Sequence, residues 1–282
     1  MSLYGALLTG IYSKARRLIQ RCAGINTPGY DGETPLMLSP RHPDMNDMSR
    51  LLLLAGADVN ACNKYGETAL MMSLCTSKNN NNLEKISLLI ENGADASLVS
   101  VYGYMARDFA LYASVFDRFF PENTERRAIR KKVAIADAAS IEDICLEQPI
   151  DHVLLRFMLE DAICSQDVKR VEAFLKLGVP ANSPTRWGST GLFDAACRAN
   201  IELVKLLLRY GANPTCRDRY GMTALMEMKT CVPGLHVCVR GFIVSEFIDK
   251  DHALEQLGKE RMEEIAAVQR EIEQLLVEPW KQ

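Results

Sequence analysis

The sequence predicts an all-α solenoid in which short helix–loop–helix units stack side by side. Three observations predict this fold. A hexapeptide with glycine first, threonine third and leucine fifth recurs at a period of 33 or 34 residues. A second glycine motif follows the first by about 24 residues, and an apolar run precedes each of these second glycines. Self-similarity at a fixed period of this size is typical of repeat architectures, and we expect about six to seven units.

The first motif predicts the start of a helix. Its four copies read GETPLM, GETALM, GSTGLF and GMTALM, and they begin at Gly32, Gly66, Gly188 and Gly221. A threonine followed by proline or alanine is favourable chemistry for a helix N-cap and first turn. The glycine before it indicates a turn, so each copy predicts a turn that leads into a helix.

The second motif predicts the end of a helix. It contains Gly56, Gly93 and Gly211, with a looser copy at Gly178, and leucine-rich runs precede these glycines. Glycine commonly ends a helix in the left-handed conformation because it has no Cβ atom to clash. The sequence therefore predicts a positive φ at Gly56, Gly93 and Gly211, and a unit composed of turn, helix, loop, helix and glycine stop.

These motifs resemble those of the ankyrin family, whose repeat of about 33 residues joins a β-turn to two helices and carries a T-P-L-H-x-A signature. The resemblance covers roughly two thirds of the chain. The signature histidine is replaced by Met37, Met71, Phe193 and Met226. We expect the polar tie of that histidine to be absent in every copy, with apolar packing in its place.

The repeat register divides the chain into three parts. It is lost after about residue 116, and residues 159–178 resemble a fresh opening repeat. We therefore predict a first stack of about four units over residues 1–118, an irregular helical connector over 119–150 and a second stack of about three units over 151–282.

The last predicted helix covers residues 254–277. Ile265, Val268, Ile272 and Leu275 fall on one stripe of it. We interpret this helix as the second helix of a repeat that closes the stack. The alternative is a docking helix for a partner.

Composition favours a folded, soluble chain. Hydrophobic residues make up 48% and charged residues 24%, with a net charge of −3. That charge makes nucleic acid an unlikely partner, because duplex-binding domains usually carry a basic surplus. No secretory signal and no transmembrane run is recognised. Nine scattered cysteines without a C-x-x-C pair are typical of reduced thiols, so we expect a cytoplasmic, or possible nuclear, location.

No enzyme motif is present. The sequence lacks a phosphate-binding loop, a dinucleotide fingerprint and a zinc-protease motif, so we expect neither catalysis nor a small-molecule substrate, cofactor or metal. Cys197 could be a nucleophile, but a small residue packed between helices is the preferred interpretation. His42 begins an H-P-D tripeptide that resembles one in Hsp40-type J domains, but the register places it in a turn between helices.

One cluster offers zinc donors. Cys231, His236 and Cys238 lie close in sequence, with Cys216 upstream, but their spacing matches no familiar zinc motif. We interpret them as buried cysteines within an insertion.

The strongest charge run is 126–132, with five basic residues in seven. On the helix predicted over 124–140 these side chains spread over most of the circumference, which favours a solvated face. The alternatives are contacts with an acidic partner, an anionic membrane surface or RNA.

The candidate recognition site follows from the ankyrin resemblance, which implies binding through the tips of the β-turn fingers and the concave wall of first helices. The residue before the turn glycine is repeatedly aromatic, and basic residues flank three of these positions. Such residue types are enriched at binding hot spots. The alternative is that each ring packs on the adjacent finger and only stiffens the row. We name these side chains the finger ridge: Tyr65, Tyr102, Trp187, Tyr220, Lys64, Arg186 and Arg219.

The resemblance implies a protein-binding function. We predict an adaptor or scaffold whose partner is another protein, and which is a monomer or a subunit of a hetero-complex. The alternative is a permanent structural subunit of a larger multiprotein assembly.

Overall fold

The computed structural model describes residues 1–38, 46–75, 83–111, 116–147, 150–230 and 259–277. These residues form fifteen α-helices and contain no strand. The chain divides into two compact units, a first unit of residues 1–129 and a second unit of residues 130–282. The predicted all-α repeat architecture is confirmed, whereas the boundaries 1–118, 119–150 and 151–282 stay a prediction.

The helices of the first unit are mostly short and come in pairs. They are α1 (Leu3–Leu8), α2 (Tyr12–Gln20), α3 (Pro35–Leu38), α4 (Asn46–Leu54), α5 (Ala69–Cys75), α6 (Leu83–Glu91) and α7 (Ala106–Phe109). Helix α8 (Asn123–Ile135) follows and contains the division between the units.

The second unit contains one short helix and one longer helix before it returns to the short repeat pattern. Its helices are α9 (Ser140–Glu147), α10 (His152–Cys164), α11 (Val168–Lys176), α12 (Gly191–Cys197), α13 (Ile201–Arg209), α14 (Ala224–Thr230) and α15 (Lys259–Val277).

Helices stack within each unit as a solenoid requires. In the first unit α1, α3, α5 and α7 pack in sequence, and α2, α4 and α6 form a parallel row behind them. In the second unit α10, α12 and α14 form one row, and α11, α13 and α15 form the other. Three of the four hexapeptide leucines lie in the core, since Leu36, Leu70 and Leu192 are at most 1% exposed, while Leu225 is half-buried.

The residues at the histidine position of the signature follow the sequence prediction in three of four copies. Met37, Met71 and Phe193 are at most 1% exposed, so apolar packing does replace the histidine there. Met226 departs from the prediction because it is 44% exposed. A polar tie is also not wholly absent, since the Met37 Sδ atom accepts the backbone N–H of Thr34 at 3.4 Å.

The glycine stops adopt the predicted conformation. Gly56, Gly93 and Gly211 have φ angles of 86°, 86° and 81°. At the end of α2 the same place is taken by Cys22, with a φ of 48°. Its N–H bonds to the Ile19 carbonyl at 2.8 Å, as the N–H of Gly56 bonds to the Leu53 carbonyl at 3.0 Å. A non-glycine residue therefore closes the first repeat.

Beyond three of the helix stops, Cys22, Gly56 and Gly178, an asparagine four residues later joins one repeat to the next. The Asn60 amide donates to the Gly93 carbonyl at 3.0 Å, and its oxygen accepts the N–H of Asp95 at 2.7 Å. Asn26 makes the same pair of bonds to Gly56 and Asp58. In the second unit Asn182 bonds in this way to Gly211 and Asn213. We call these three side chains the asparagine ladder. They fix the register of neighbouring repeats.

The predicted threonine caps form in two copies. Thr68 accepts the N–H of Met71, and Thr223 accepts the N–H of Met226, both at 3.3 Å. The hydroxyl oxygens of Thr34 and Thr190 are buried and have no hydrogen-bond partner among the described residues.

The basic run 126–132 is a solvated face only at Lys131 and Lys132, which are exposed, and the interpretation was wrong for its three arginines. Arg126 is 6% exposed, and its Nη2 atom lies 2.7 Å from the Asp108 carboxylate in the first unit. Arg127 forms an ion pair with Asp117. In the second unit Arg130 pairs with Asp161, and Lys132 pairs with Glu147 at 3.1 Å. Four of the five basic side chains are thus engaged within the protein, because acidic residues distant in sequence lie beside this helix.

Helix α15 packs within the second unit. Ile272, Leu275 and Leu276 are at most 5% exposed, and the helix packs against α13 and α14. Ion pairs with Lys205 and Lys229 flank this contact. The structure therefore uses the apolar stripe to close the stack, while residues 254–258 and the side chain of Ile265 lie outside the described part.

Candidate protein-binding surface

The fingers are tight turns with a common backbone geometry. In each, the N–H of the turn glycine bonds to the carbonyl three residues earlier, at distances of 2.8 to 3.3 Å. The glycines have φ angles between 72° and 81°, where a side chain is poorly tolerated. Five described fingers have this geometry, and their glycines are Gly32, Gly66, Gly103, Gly188 and Gly221.

Backbone hydrogen bonds join neighbouring fingers within a unit. In the first unit the N–H of Lys64 bonds to the Asp31 carbonyl at 2.9 Å, and the N–H of Val101 bonds to the Tyr65 carbonyl at 2.8 Å. In the second unit the N–H of Arg219 bonds to the Trp187 carbonyl at 3.3 Å. These bonds hold the tips in a row, so the side chains before each glycine become neighbours.

The first unit carries stacked tyrosines with one ammonium group. The rings of Tyr65 and Tyr102 stack, with centroids 6.4 Å apart and planes inclined by 23°. The Nζ atom of Lys64 lies 5.0 Å from the Tyr65 ring centroid and 5.6 Å from that of Tyr30, distances typical of cation–π contacts. Lys64 also forms an ion pair with Asp31, and this carboxylate, followed by Tyr65, raises the pKa of the ammonium group.

The second unit places two guanidinium groups against one indole. The guanidinium carbons of Arg186 and Arg219 lie 5.4 Å and 4.8 Å from the Trp187 ring centroid. Arg219 also donates to the backbone carbonyl of Arg186 at 3.1 Å. Tyr220 extends outward and is 61% exposed.

The structure therefore groups most of the predicted residues. Lys64, Tyr65 and Tyr102 come together in the first unit, and Arg186, Trp187 and Arg219 come together in the second. Ring stacking agrees with the stiffening interpretation, and the exposure of Tyr220 agrees with recognition. The assignment of the finger ridge as a binding site stays a prediction.

Further side chains belong to the same surface, and of these the sequence indicates only Tyr30, which lies one place earlier in its turn than the other aromatic residues. Tyr30 is 81% exposed next to Lys64, and Val99 and Val101 are 50% and 69% exposed beside Tyr102. Arg217 is an exposed residue two positions before Arg219. An apolar residue within a turn is the signal that could have identified the two valines, because turn residues are usually polar.

The other candidate sites receive no support from the structure. Within the described ranges no three residues of the types His, Cys, Asp and Glu are placed to hold a metal ion. Cys197 is the last residue of α12 and is half-buried. His42, Cys231, His236 and Cys238 lie outside the described residues. Among the helices that are described, none has both the length and the apolar character needed to cross a membrane.

Comparison with known proteins identifies the repeats in both units. The family description "Ankyrin repeats (3 copies)" matches residues 3–105, and the description "Ankyrin repeat" matches residues 187–219. The chain contains ankyrin repeats. Ankyrin repeats are protein–protein interaction modules and are generally not enzymes.

The curated relatives share only a segment with this chain. "Ankyrin repeat and SOCS box protein 6" is 35% identical over 105 residues in Pongo abelii and 34% identical over the same length in Homo sapiens. Each match spans 36% of this chain and 25% of the relative. The "Ankyrin repeat and LEM domain-containing protein 1 homolog" of Caenorhabditis elegans is 31% identical over 127 residues, which is 45% of this chain and 17% of the relative.

One solved structure is similar over a longer stretch. The crystal structure of the human ASB11 ankyrin repeat domain covers 83% of this chain, and the match covers 93% of that domain. The identity is 24% and the TM-score is 0.37.

Proposed function

We propose that this ankyrin repeat protein is an adaptor or scaffold that holds a partner protein on the finger ridge. The observation that carries the proposal is that hydrogen bonds join the fingers within each unit, which places aromatic and cationic side chains next to one another on turns. Large rings and arginines supply contact area together with polar groups, and for that reason they dominate binding hot spots.

Rigidity supports recognition at this surface. The fingers of each unit are joined by backbone hydrogen bonds, so little loop ordering is required when a partner binds. Pre-organised surfaces avoid an entropic cost of about 0.5 to 1.5 kcal/mol for each side chain that binding would otherwise immobilise. The stacked rings of Tyr65 and Tyr102 and the arginines against Trp187 are ordered in this sense. Stiffening and recognition can therefore be served by the same contacts.

The test compares partner capture by the intact chain and by ridge variants. Affinity purification from the native source followed by mass spectrometry supplies the partner. Its affinity for the wild type is then compared with that for a Tyr65→Ala, Tyr102→Ala double variant. The matched control is Glu172→Ala, Lys176→Ala, which removes a solvent-exposed pair on α11. The proposal expects the ridge variant to lose at least tenfold in affinity and the control to stay within twofold. Equal affinity of all three proteins would refute it.

A permanent structural subunit is the second candidate. Large exposed apolar side chains favour it, since Leu54, Ile135 and Leu146 are 85%, 88% and 75% exposed. Exposed apolar side chains mark an interface where they form a contiguous patch. Purified alone, an adaptor should remain a soluble monomer, whereas an obligate subunit should aggregate until its partners are co-expressed.

The location is also a proposal. We infer a cytoplasmic or nuclear protein from nine cysteines that are scattered along the chain without a paired motif. Imaging of a tagged chain in cells would test this, and a secreted product would contradict it.

A further inference from the structure

The two units present fingers of opposite charge. We compare the six residues from four before the turn glycine to one after it. In the first unit the windows 28–33, 62–67 and 99–104 contain two glutamates, one aspartate and one lysine, a net charge of −2. In the second unit the windows 184–189 and 217–222 contain three arginines and one aspartate, a net charge of +2.

The acidic side chains of the first-unit fingers are buried or paired within the protein. Glu33 and Glu67 are buried, and Asp31 forms an ion pair with Lys64. The charge of that lysine is thereby balanced within the ridge. The first unit consequently offers tyrosine and valine side chains rather than charge.

The second-unit fingers contain a single acidic residue, Asp218, and its carboxylate makes hydrogen bonds within its own turn. One oxygen of Asp218 accepts the backbone N–H groups of Tyr220 and Met222, both at 2.9 Å. The same two finger windows contain Arg186, Arg217 and Arg219. Arg217 is exposed and donates to the Gly221 carbonyl at 2.5 Å. The positive charge of these fingers therefore exceeds the negative charge on the same turns.

An apolar recess adjoins these cationic fingers. A cavity of about 370 Å³ is lined by Leu155, Val179 and Pro184, together with Arg156, whose Nη2 atom donates to the Pro184 carbonyl at 2.5 Å. Pro184 begins the finger window that carries Arg186 and Trp187. An apolar side chain of a partner can enter such a recess while neighbouring carboxylates meet guanidinium groups.

From this arrangement we propose that the second-unit part of the finger ridge binds an acidic, extended segment of a partner protein. The inference rests on the proposed function and adds the chemistry of the partner. Stacked helices stand about 10 Å apart, and an extended chain advances about 3.3 Å per residue. Carboxylates spaced by three residues therefore match the spacing of successive fingers. Tyrosine or leucine between them can pack on Trp187, Tyr220 or the recess.

The experiment measures binding of a labelled nine-residue peptide to the full chain by fluorescence anisotropy. The peptide has glutamate at every third position, with leucine and tyrosine between, and its control has glutamine in place of each glutamate. We expect the glutamate peptide to bind at least tenfold more tightly than the glutamine peptide. We also expect its affinity to fall as ionic strength rises from about 0.05 to about 0.3 M, because added salt screens exposed charges.

Variants locate the peptide. Arg186→Gln, Arg217→Gln should weaken binding of the glutamate peptide at least tenfold. The charge-matched control Lys176→Gln, Arg209→Gln removes two exposed cations of the same unit outside the ridge and should change the affinity by less than twofold. Should the double ridge variant fail to fold, Arg217→Glu alone still removes an exposed cation and should weaken binding at least threefold.

Three results would overturn the inference. The first is equal affinity for the two peptides, and the second is equal affinity of the ridge and control variants for the glutamate peptide. The third is tighter binding of a nine-nucleotide oligothymidine than of the glutamate peptide, which would assign the cations to nucleic acid. If ridge variants lose the native partner but the peptide fails these tests, the proposed function stands and only the acidic chemistry is wrong. If ridge variants keep the native partner, the proposed function itself fails.

Discussion

Replacing Arg126 by leucine should destabilise the protein by about 3 to 5 kcal/mol, the usual cost of leaving one member of a buried ion pair without its partner. The side chains of Arg126 and Asp108 are 8% and 1% exposed, and the charged atoms lie 2.7 Å apart. Arg126 also donates to the side-chain oxygen of Asn123 at 3.0 Å. Without the guanidinium group, the buried Asp108 carboxylate would keep the Met105 N–H, at 2.8 Å, as its remaining described hydrogen-bond donor, and the half-exposed Arg107, at 4.0 Å, as its remaining described counter-charge.

The assay is urea unfolding followed by circular dichroism, with a matched substitution in the same basic run. Lys131→Ala removes an exposed charge one turn further along α8, and we expect it to change the free energy of unfolding by less than about 0.5 kcal/mol. The double variant Asp108→Leu, Arg126→Leu should recover part of the loss, because no buried charge then remains.

A loss below about 1 kcal/mol for Arg126→Leu would refute the argument from burial. The argument would also be refuted if the double variant lost more free energy of unfolding than the two single variants lose together. Either outcome would make the basic run a candidate surface for binding a partner again.

Three further predictions concern the repeat framework. Gly211→Val should destabilise by more than about 1 kcal/mol because a β-branched residue is poorly tolerated at a φ of 81°; an unchanged urea midpoint would contradict the register. Asn60→Ala removes two hydrogen bonds between repeats and should cost about 1 to 3 kcal/mol. Ser97 stands at the equivalent position, but its described hydrogen bonds stay within one loop. Ser97→Ala should therefore lower the free energy of unfolding by less than Asn60→Ala does in the same unfolding assay. Burial lowers the pKa of Lys85 well below its usual value. At pH values between the lowered pKa of Lys85 in the folded protein and the usual pKa of lysine, the unfolded chain binds more protons than the folded chain. The free energy of unfolding should therefore rise with pH up to about 10.4. Lys85→Met should lose this part of the pH dependence, and parallel pH profiles for the two proteins would show the pKa inference to be wrong.

Sequence reasoning recovered the parts of the fold that local chemistry determines. The positive φ of glycine stops such as Gly93 was predicted correctly because a glycine and the apolar run before it are visible within a few residues of sequence. The positive φ of Cys22 was not predicted, since cysteine carries no such signal. The asparagine ladder was also missed, because its bonds join residues about one repeat apart and the motif alone does not show which carbonyl is reached.

The same limit applies to the candidate site. Periodicity placed an aromatic residue before successive turn glycines, and this was sufficient to find Tyr65 and Trp187. It could not show that Lys64 is balanced by Asp31 or that two arginines face one indole, because these contacts depend on the pairing of fingers. The basic run was misinterpreted for the same reason, since its acidic partners are distant in sequence.

The central claim is that the finger ridge recognises a partner rather than only stiffening the solenoid. The most direct test measures, for the Trp187→Ala, Tyr220→Ala variant, both the affinity for the native partner and the melting temperature. If the rings are hot spots, the free energy of binding should weaken by about 2 to 4 kcal/mol, whether or not the melting temperature also falls. A variant that melts early yet binds its partner with unchanged affinity would contradict the claim and direct the search to the concave wall of first helices.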